Sequence, residues 1–161
     1  MKKLILFFCF FSTILSAQET DVIKEYYNNI ASAYSNMSAD DMMRNYSDRA
    51  VIFRSNRNNF IQIFSDHDEV MKYYNDEFSL LTKEKKKMVC TIKISETRRR
   101  DNQIFVSGFQ NLETTNESGI LNNDTGAFNH VWFFENDEWK LQSDAVIPVP
   151  EEEFQKGVTR Y

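Results

Sequence analysis

The stretch "NHVWFFENDEWKLQSD", Asn129 to Asp144, has the pattern of a β-hairpin. Two runs rich in apolar and aromatic residues flank the dipeptide Asn136-Asp137, and both of these residue types favour the backbone of a tight turn. If this dipeptide forms the turn, the opposing pairs are Glu135 with Glu138, Phe134 with Trp139, and Trp132 with Leu141. Such pairs stack large side chains on each other across the two strands. The stretch therefore predicts a long antiparallel hairpin near the end of the chain.

The same register decides whether His130 and Asp144 meet. Continued without interruption, it places His130 opposite Ser143, and Asp144 on the other face of the sheet, because adjacent residues of a strand alternate faces. A slip of one residue would bring His130 to Asp144, but it would also place Trp132 opposite Gln142. We therefore expect that the two residues do not form an acid–base pair. A β-bulge near Ser143 would reverse this expectation.

The first residues, "MKKLILFFCFFSTILSAQ", have the layout of a secretory signal peptide. Two lysines precede an apolar run from Leu4 to Phe11, which is too short to span a membrane, and small and polar residues follow up to Ala17. Cys9 lies inside the apolar run without the small residues that precede the cysteine of a lipoprotein signal. We expect cleavage after Ala17 and export to the periplasm or the medium, without a stable membrane anchor.

The composition of the remaining chain excludes several classes of function. Cleavage would remove two of the 19 basic residues and none of the 24 acidic ones, so the excess of acidic residues rises from five to seven. An acidic chain argues against nucleic acid as a partner. Four glycines provide no phosphate-binding loop, and two histidines with the one remaining cysteine, Cys90, provide no metal-ligand cluster. We expect no metal and no cofactor.

Apolar periodicity predicts helices in the first half of the chain. Apolar residues recur every three or four positions from Thr20 to Met37, and again in the segment that begins at Asp66. A capping motif at Ser38 starts a short helix between them. "DRAVIFRS" after that short helix predicts a strand, "NRNN" a turn and "FIQIF" a second strand.

The second half alternates apolar and polar residues with the period of a β-strand. The predicted strands are "MVCTIKISETRRR", "IFVSGFQNLETT" and the two strands of the hairpin. A polar stretch, "NESGILNNDTG", is expected to connect the second strand to the hairpin. The result is an α+β fold in which N-terminal helices pack in a strongly curved, mixed or antiparallel sheet. It occupies residues 18–148, after the signal peptide at 1–17 and before a surface tail at 149–161.

Two of the predicted strands carry apolar residues on both faces, namely 104–109 and 128–134. An antiparallel sheet in a monomer usually exposes one polar face to solvent. One face of this sheet would pack on the helices, and the other face would then need a second subunit. We therefore predict a homodimer that forms through the sheet.

The chain resembles the nuclear transport factor 2-like superfamily, whose members share a cone-shaped α+β fold with a pocket between sheet and helices. The resemblance rests on "SADDMMRNYSDRAVIF", similar to the short second helix and first strand, on "DHDEVMKYYNDEF", similar to the following helix, and on the closing hairpin "HVWFFENDEWKL". It covers essentially all of the chain after residue 17. Since the superfamily contains enzymes, ligand-binding domains and oligomerising domains, the resemblance implies a fold and leaves the function open.

The resemblance offers two enzymatic templates. Ketosteroid isomerase-like members carry a base carboxylate just after the apolar core of the first strand, where this chain has Arg54 after Phe53. SnoaL-like cyclases use an aspartate late in the last strand, and Asp144 lies in roughly that region. His130 shares a strand face with Trp132, so it is a candidate general base in an apolar pocket. The candidate catalytic residues are therefore His130 and Asp144.

Three functions stay open at this point. The first is an exported domain that binds a small apolar or amphipathic molecule in an aromatic-lined pocket. The candidate ligand-binding residues are Tyr26, Tyr34, Phe53, Arg54, Trp132 and Trp139. The second is a SnoaL-like isomerase, cyclase or hydratase that uses His130 and Asp144. The third is a structural or protein-interaction module that acts through its sheet face.

Overall fold

The computed structural model describes residues 22–55 and 61–157. The expected signal peptide, its cleavage site and the "NRNN" turn lie outside these ranges. In chain order the elements are α1 (residues 22–36), α2 (Ala39–Met43), β1 (Tyr46–Ser55), β2 (Ile61–Phe64), α3 (His67–Lys83), β3 (Lys87–Arg100), β4 (Gln103–Asn116), β5 (Gly119–Glu135), β6 (Glu138–Pro148) and α4 (Glu151–Lys156). No helix within the described ranges is long and apolar enough to cross a membrane.

The six strands form an open mixed sheet in the order β2-β1-β6-β5-β4-β3. Strands β1 and β6 are parallel neighbours, and the other neighbours are antiparallel. One side of the sheet, called the inner face below, carries the most deeply buried residues of four strands. They are Ile52, Val106, Phe128, Trp132 and Leu141. Because these residues pack with α1 and α3 in one core, the predicted α+β class is confirmed.

The helices form where the periodicity predicted them. The buried residues of α1 are Ile23, Tyr27, Ile30, Ala33 and Tyr34, and those of α3 are Val70, Tyr74 and Phe78. The Asp66 side chain caps α3 by accepting a hydrogen bond from the Glu69 N–H at 2.8 Å. The Ser38 hydroxyl caps α2 by accepting from the Asp41 N–H at 3.2 Å. Both caps satisfy N–H groups that a helix start leaves without partners.

The connection between β4 and β5 differs from the prediction. The polar stretch at 116–126 is not a loop, because β5 already begins at Gly119 and the turn consists of Glu117 and Ser118. Residues 119–126 pair with 110–116 of β4, which are themselves mostly polar. A hairpin of two polar strands carries no apolar alternation, so the sequence pattern gave no signal for it.

The predicted surface tail contains a short helix, α4, and one of its residues is buried. Phe154 of α4 is buried on the outer face of the sheet against Phe109 and Ala127. The Lys93 ammonium donates to the Phe154 carbonyl at 3.0 Å and lies 4.0 Å from the centre of its ring. Residues 149–157 therefore belong to the packed domain.

The closing hairpin follows the predicted register up to Trp132. Asn136 and Asp137 both have positive φ, at 51° and 64°, as the two central residues of a type I′ turn require. Trp132 pairs with Leu141, but the next pair joins Val131 to Ser143.

Gln142 is therefore an extra residue in β6, and beyond this β-bulge His130 pairs with Asp144. The expectation that His130 lies opposite Ser143, with Asp144 on the other face, is wrong. The bulge keeps the apolar ladder of the hairpin intact while it shifts the register of the residues that follow.

Candidate functional site

Asp144 is the centre of a buried polar network on the inner face. Its side chain, in a residue that is 3% exposed, accepts hydrogen bonds from Arg54, His130 and Tyr46. The two terminal nitrogens of the Arg54 guanidinium lie 2.8 and 2.7 Å from the two carboxylate oxygens, in a bidentate pair. His130 Nε2 lies 3.1 Å from Oδ1. The bulge at Gln142 makes this meeting possible, since it turns Asp144 towards the inner face.

The charges of the network fix the protonation of Asp144. Burial on its own would raise the pKa of this carboxyl, but the positive charge of Arg54 and the hydrogen bonds from Arg54 and His130 outweigh burial and hold the pKa well below its usual range. For Arg54, burial lowers the pKa and the carboxylate of Asp144 raises it, with a net increase. The pair is therefore ionised, and Asp144 is a weak proton acceptor.

Both ring nitrogens of His130 are engaged. Tyr27 from α1 places its hydroxyl 2.8 Å from Nδ1, and the Trp132 indole N–H donates to the same hydroxyl at 3.3 Å. Because an indole N–H can only donate, the Tyr27 hydroxyl accepts from Trp132, and it keeps one proton and one lone pair for its contact with Nδ1. A carboxylate can only accept, so Nε2 carries the hydrogen that is donated to Asp144.

Two further tyrosines close the network from the other side. Arg54 donates to the Tyr74 hydroxyl at 3.1 Å, and the hydroxyls of Tyr74 and Tyr46 lie 2.9 Å apart. Since Tyr46 gives its proton to Asp144, it accepts from Tyr74. Burial, followed by the charge of Asp144, raises the pKa of Tyr46, so this phenol remains a donor. Every polar group in this chain of contacts has a hydrogen-bond partner.

Close packing fixes the position of the imidazole. The Phe128 ring stacks on the His130 ring at 4.3 Å between centroids, and the Tyr27 ring lies nearly parallel to it at 5.7 Å. Gly108 lies beneath Phe128, where a Cβ atom would come within 2.7 Å of the ring and 2.2 Å of the Lys93 carbonyl oxygen. A glycine is thus required at this point of β4 for Phe128 to support His130.

A pocket of about 290 Å³ opens beside this network. It is lined by Arg54, Ser55, Gln110, Leu112, Asp124, Thr125, Gly126, Val146 and Pro148. Arg54 therefore forms the wall between the pocket and the buried carboxylate. Gly126 leaves room here as well, because a Cβ atom at this position would lie 2.7 Å from a methyl carbon of Val146. Five of the nine lining residues are polar or charged, three are apolar and none is aromatic, so this pocket is not the aromatic-lined pocket that the sequence predicted.

The structure distributes the predicted ligand-binding residues over several places. Arg54 lines the pocket. Trp132 and Tyr34 are buried in the core, and the Tyr26 hydroxyl accepts from the Trp139 backbone N–H at 3.3 Å. Phe53 lies on the outer face, opposite the network, because it neighbours the inner-face residue Ile52. A contact of these other residues with a ligand stays a prediction.

Sequence reasoning missed the residues that complete the site. The sequence analysis assigned no functional role to Tyr46 or Tyr74, and it did not single out Gln110, Leu112 or Val146. One signal was present, because Arg54 continues the buried alternation of Ala50 and Ile52 in β1. A charged residue at an inner-face position requires a buried partner of opposite charge.

The described residues contain no group of three or more histidine, cysteine, aspartate or glutamate side chains that could hold a metal ion. Cys90 is buried, and this burial raises the pKa of its thiol to about 12, which makes it an inert core residue. His67 lies in the first turn of α3, near Asp68, and takes no part in the network.

Solved structures with a similar fold exist at low sequence identity. An NTF-2 like protein of unknown function from Shewanella oneidensis MR-1 is 17% identical with a TM-score of 0.65, covering 80% of this chain and 98% of its own. Aln2 from a Streptomyces species is 7% identical with a TM-score of 0.71, covering 81% and 91%. A ketosteroid isomerase-like protein from Erwinia carotovora atroseptica is 15% identical with a TM-score of 0.64, covering 81% and 95%. No protein-family model and no curated protein matches the sequence.

Proposed function

We propose that this chain, which has the nuclear transport factor 2-like fold, is an exported protein that binds a small apolar or amphipathic molecule in the pocket beside Arg54. The observation that carries this proposal is the pocket itself. Leu112, Val146 and Pro148 offer a ligand apolar contacts, and the remaining side chains of the lining offer polar groups, namely Arg54, Ser55, Gln110, Asp124 and Thr125. A volume of about 290 Å³ is near the lower limit of known ligand pockets, so the molecule is small.

Binding is favoured over catalysis by the state of the buried network. A general base needs a free lone pair within reach of the substrate. His130 Nδ1 is already hydrogen-bonded to the Tyr27 hydroxyl at 2.8 Å, and the carboxylate of Asp144 is neutralised by Arg54. The network joins α1 and α3 to the sheet through Tyr27 and Tyr74, and Arg54 presents one edge of it to a ligand in the pocket.

A pocket-filling variant tests the proposal. Val146→Phe replaces a pocket residue by a larger one, and Ile147→Phe is the matched control because Ile147 is exposed on the opposite face of the same strand. The probe is 8-anilinonaphthalene-1-sulfonate, an aromatic amphipathic molecule, in a fluorescence titration. The expected result is at least a tenfold weaker affinity for Val146→Phe and an unchanged affinity for Ile147→Phe. Equal affinities for both variants would contradict binding in this pocket.

A second candidate is a SnoaL-like isomerase, cyclase or hydratase. The observation in its favour is that His130 and Asp144 lie within hydrogen-bonding distance, at 3.1 Å, with Tyr27 at the other ring nitrogen. A rearrangement of Tyr27 would free Nδ1 to accept a proton from a substrate. The test is turnover of a panel of ketones and lactones as a function of pH. A pH–rate profile that His130→Ala leaves unchanged would exclude this reading.

The third candidate, a module that acts through its sheet face, is compatible with the first as a homodimer. The outer face exposes apolar residues on four strands, namely Ile63, Phe53, Ile147 and Phe105. Their burial in a second copy of the chain would stabilise a dimer. Sedimentation velocity should show a dimer for the wild type and a monomer for Ile147→Glu. The control variant Leu80→Glu, at an exposed position of α3, should remain a dimer. A wild-type chain that stays monomeric at all concentrations would exclude it.

Export is tested by the mature N-terminus. Expression of the full chain in a Gram-negative host, followed by fractionation and intact-mass measurement, should yield a periplasmic or secreted protein that begins at Gln18. Recovery of the uncleaved chain in the cytoplasmic fraction would contradict the proposal.

A further inference from the structure

A groove runs along the free edge of β2 and is distinct from the pocket beside Arg54. Within the described residues, β2 is the terminal strand on its side of the sheet, so its outer edge has no neighbouring strand. Three consecutive residues, Gln62, Ile63 and Phe64, line the groove. Because consecutive residues point to opposite faces, the wall is formed by the strand edge and not by one face. The opposite wall is a stripe of α3 that runs from Glu69 to Leu81. The groove has a volume of about 750 Å³.

The edge of β2 and the facing side of α3 expose large apolar side chains. Ile61 and Ile63 are 62% and 58% exposed, and Leu80 on α3 is 56% exposed. Edge strands normally avoid association by lysines, prolines, bulges or a covering segment. The four residues of β2, "IQIF", contain no lysine and no proline. An edge of this kind pairs readily with an added strand.

The charges of the groove favour a basic partner. Three of its lining residues are acidic, Glu69, Asp76 and Glu77, and one is basic, Lys72. Lys72 is paired with Asp76 one helical turn away, so it neutralises one of the three. Two acidic groups therefore remain beside the apolar strand edge. Basic side chains on the partner would complement them.

We propose that this groove binds an extended polypeptide segment in which apolar residues alternate with lysine or arginine, and that the segment pairs with β2 as a seventh strand. The backbone of β2 supplies the hydrogen bonds. In such a strand the apolar and the basic side chains point to opposite faces, so the apolar ones pack with Ile61 and Ile63 on the outer face, while the basic ones face Glu69 and Glu77 of α3. Specificity comes from the alternation of the segment together with its charge.

The test uses a labelled synthetic heptapeptide of alternating lysine and valine, with the mature chain and a fluorescence anisotropy readout. Leu80→Lys places a positive charge in the groove and is expected to weaken binding at least tenfold. Glu77→Gln keeps an oxygen for its hydrogen bond with Tyr73 and is expected to weaken binding severalfold. Val89→Lys is the matched control, because Val89 is similarly exposed on β3 at the other edge of the sheet. It should leave the affinity unchanged.

Two altered peptides separate pairing from charge attraction. A glutamate–valine heptapeptide and a lysine–valine heptapeptide with proline at its centre should each bind at least tenfold more weakly than the first probe. The Ile147→Glu variant, which should be monomeric, is expected to bind the first probe at least as tightly as the wild type, because Ile63 belongs to both the groove and the proposed dimer face. Equal binding of the three peptides, or equal losses for Leu80→Lys and Val89→Lys, would overturn the proposal. So would a self-associated chain in which β2 pairs with a second copy and excludes the peptide.

Discussion

Replacement of Arg54 by methionine is the most informative perturbation of the buried network. It removes the guanidinium that binds both oxygens of Asp144, but it keeps an unbranched apolar side chain of similar length. The Arg54 side chain is 15% exposed and that of Asp144 is 4% exposed, so water cannot replace the lost charge. Removal of one partner of a buried ion pair costs about 3–5 kcal/mol, because the other charge remains buried without compensation. We expect a loss of about this size in the free energy of unfolding.

Arg44→Met is the matched control. Arg44 also pairs with an aspartate, Asp41, at 3.0 Å, but its side chain is 79% exposed. Exposed pairs contribute about 0–1 kcal/mol, so the same substitution should be nearly neutral there. Urea unfolding at pH 7 measures both variants, with the fluorescence of the two tryptophans as the signal, since Trp132 and Trp139 are both buried.

A double variant tests the physical cause. Adding Asp144→Asn to Arg54→Met removes the uncompensated charge, so the double variant should be more stable than the sum of the two single losses predicts, by about 1–2 kcal/mol. Equal losses for Arg54→Met and Arg44→Met would refute the reasoning. Strict additivity in the double variant would show that the charge of Asp144 is not the cause.

Three further predictions concern pH, hydrogen bonding and the tail. The pKa of Asp144 in the folded protein lies below its unfolded value of about 3.9, so the charge of Asp144 stabilises the fold above that pH. Urea unfolding should therefore show a difference in stability between the wild type and Asp144→Asn at pH 7, and this difference should become smaller when the pH is lowered below about 4. Tyr27→Phe leaves His130 Nδ1 and the Trp132 N–H without their partner, so it should cost about 1–3 kcal/mol in the same assay, and a loss below about 0.5 kcal/mol would contradict the network. Phe154→Ala should cost about 3 kcal/mol or more and accelerate amide exchange in residues 149–157; exchange that is already fast in the wild type would show that α4 is not packed.

The sequence was sufficient for the class of the fold and for most of its elements, but not for the polar half of the β4–β5 hairpin. The capping residues Ser38 and Asp66 start α2 and α3 as predicted, and the dipeptide Asn136-Asp137 forms the predicted turn with positive φ at both residues. These features depend on local chemistry, in which a side chain acts on the backbone within a few residues. Local rules of this kind can be applied to a single sequence.

The candidate site was beyond such rules because one extra residue decides it. The hairpin pairs were predicted correctly as far as Trp132, and the bulge at Gln142 then moved Asp144 by one register position towards His130. The bulge turns Asp144 towards its partners, and one of these is Arg54 of β1, which is 90 residues away in the chain. Strand periodicity cannot indicate a contact that depends on a parallel neighbour. The same limit hid the pocket, which is lined from four strands.

The most direct test of the account is an amide NMR map of the mature protein during titration with 8-anilinonaphthalene-1-sulfonate. Binding in the pocket beside Arg54 predicts concentration-dependent shifts centred on Gln110, Leu112, Gly126 and Val146, which lie on three different strands. Shifts centred on outer-face residues such as Phe105 and Ile147, with the pocket residues unmoved, would contradict the proposed binding site.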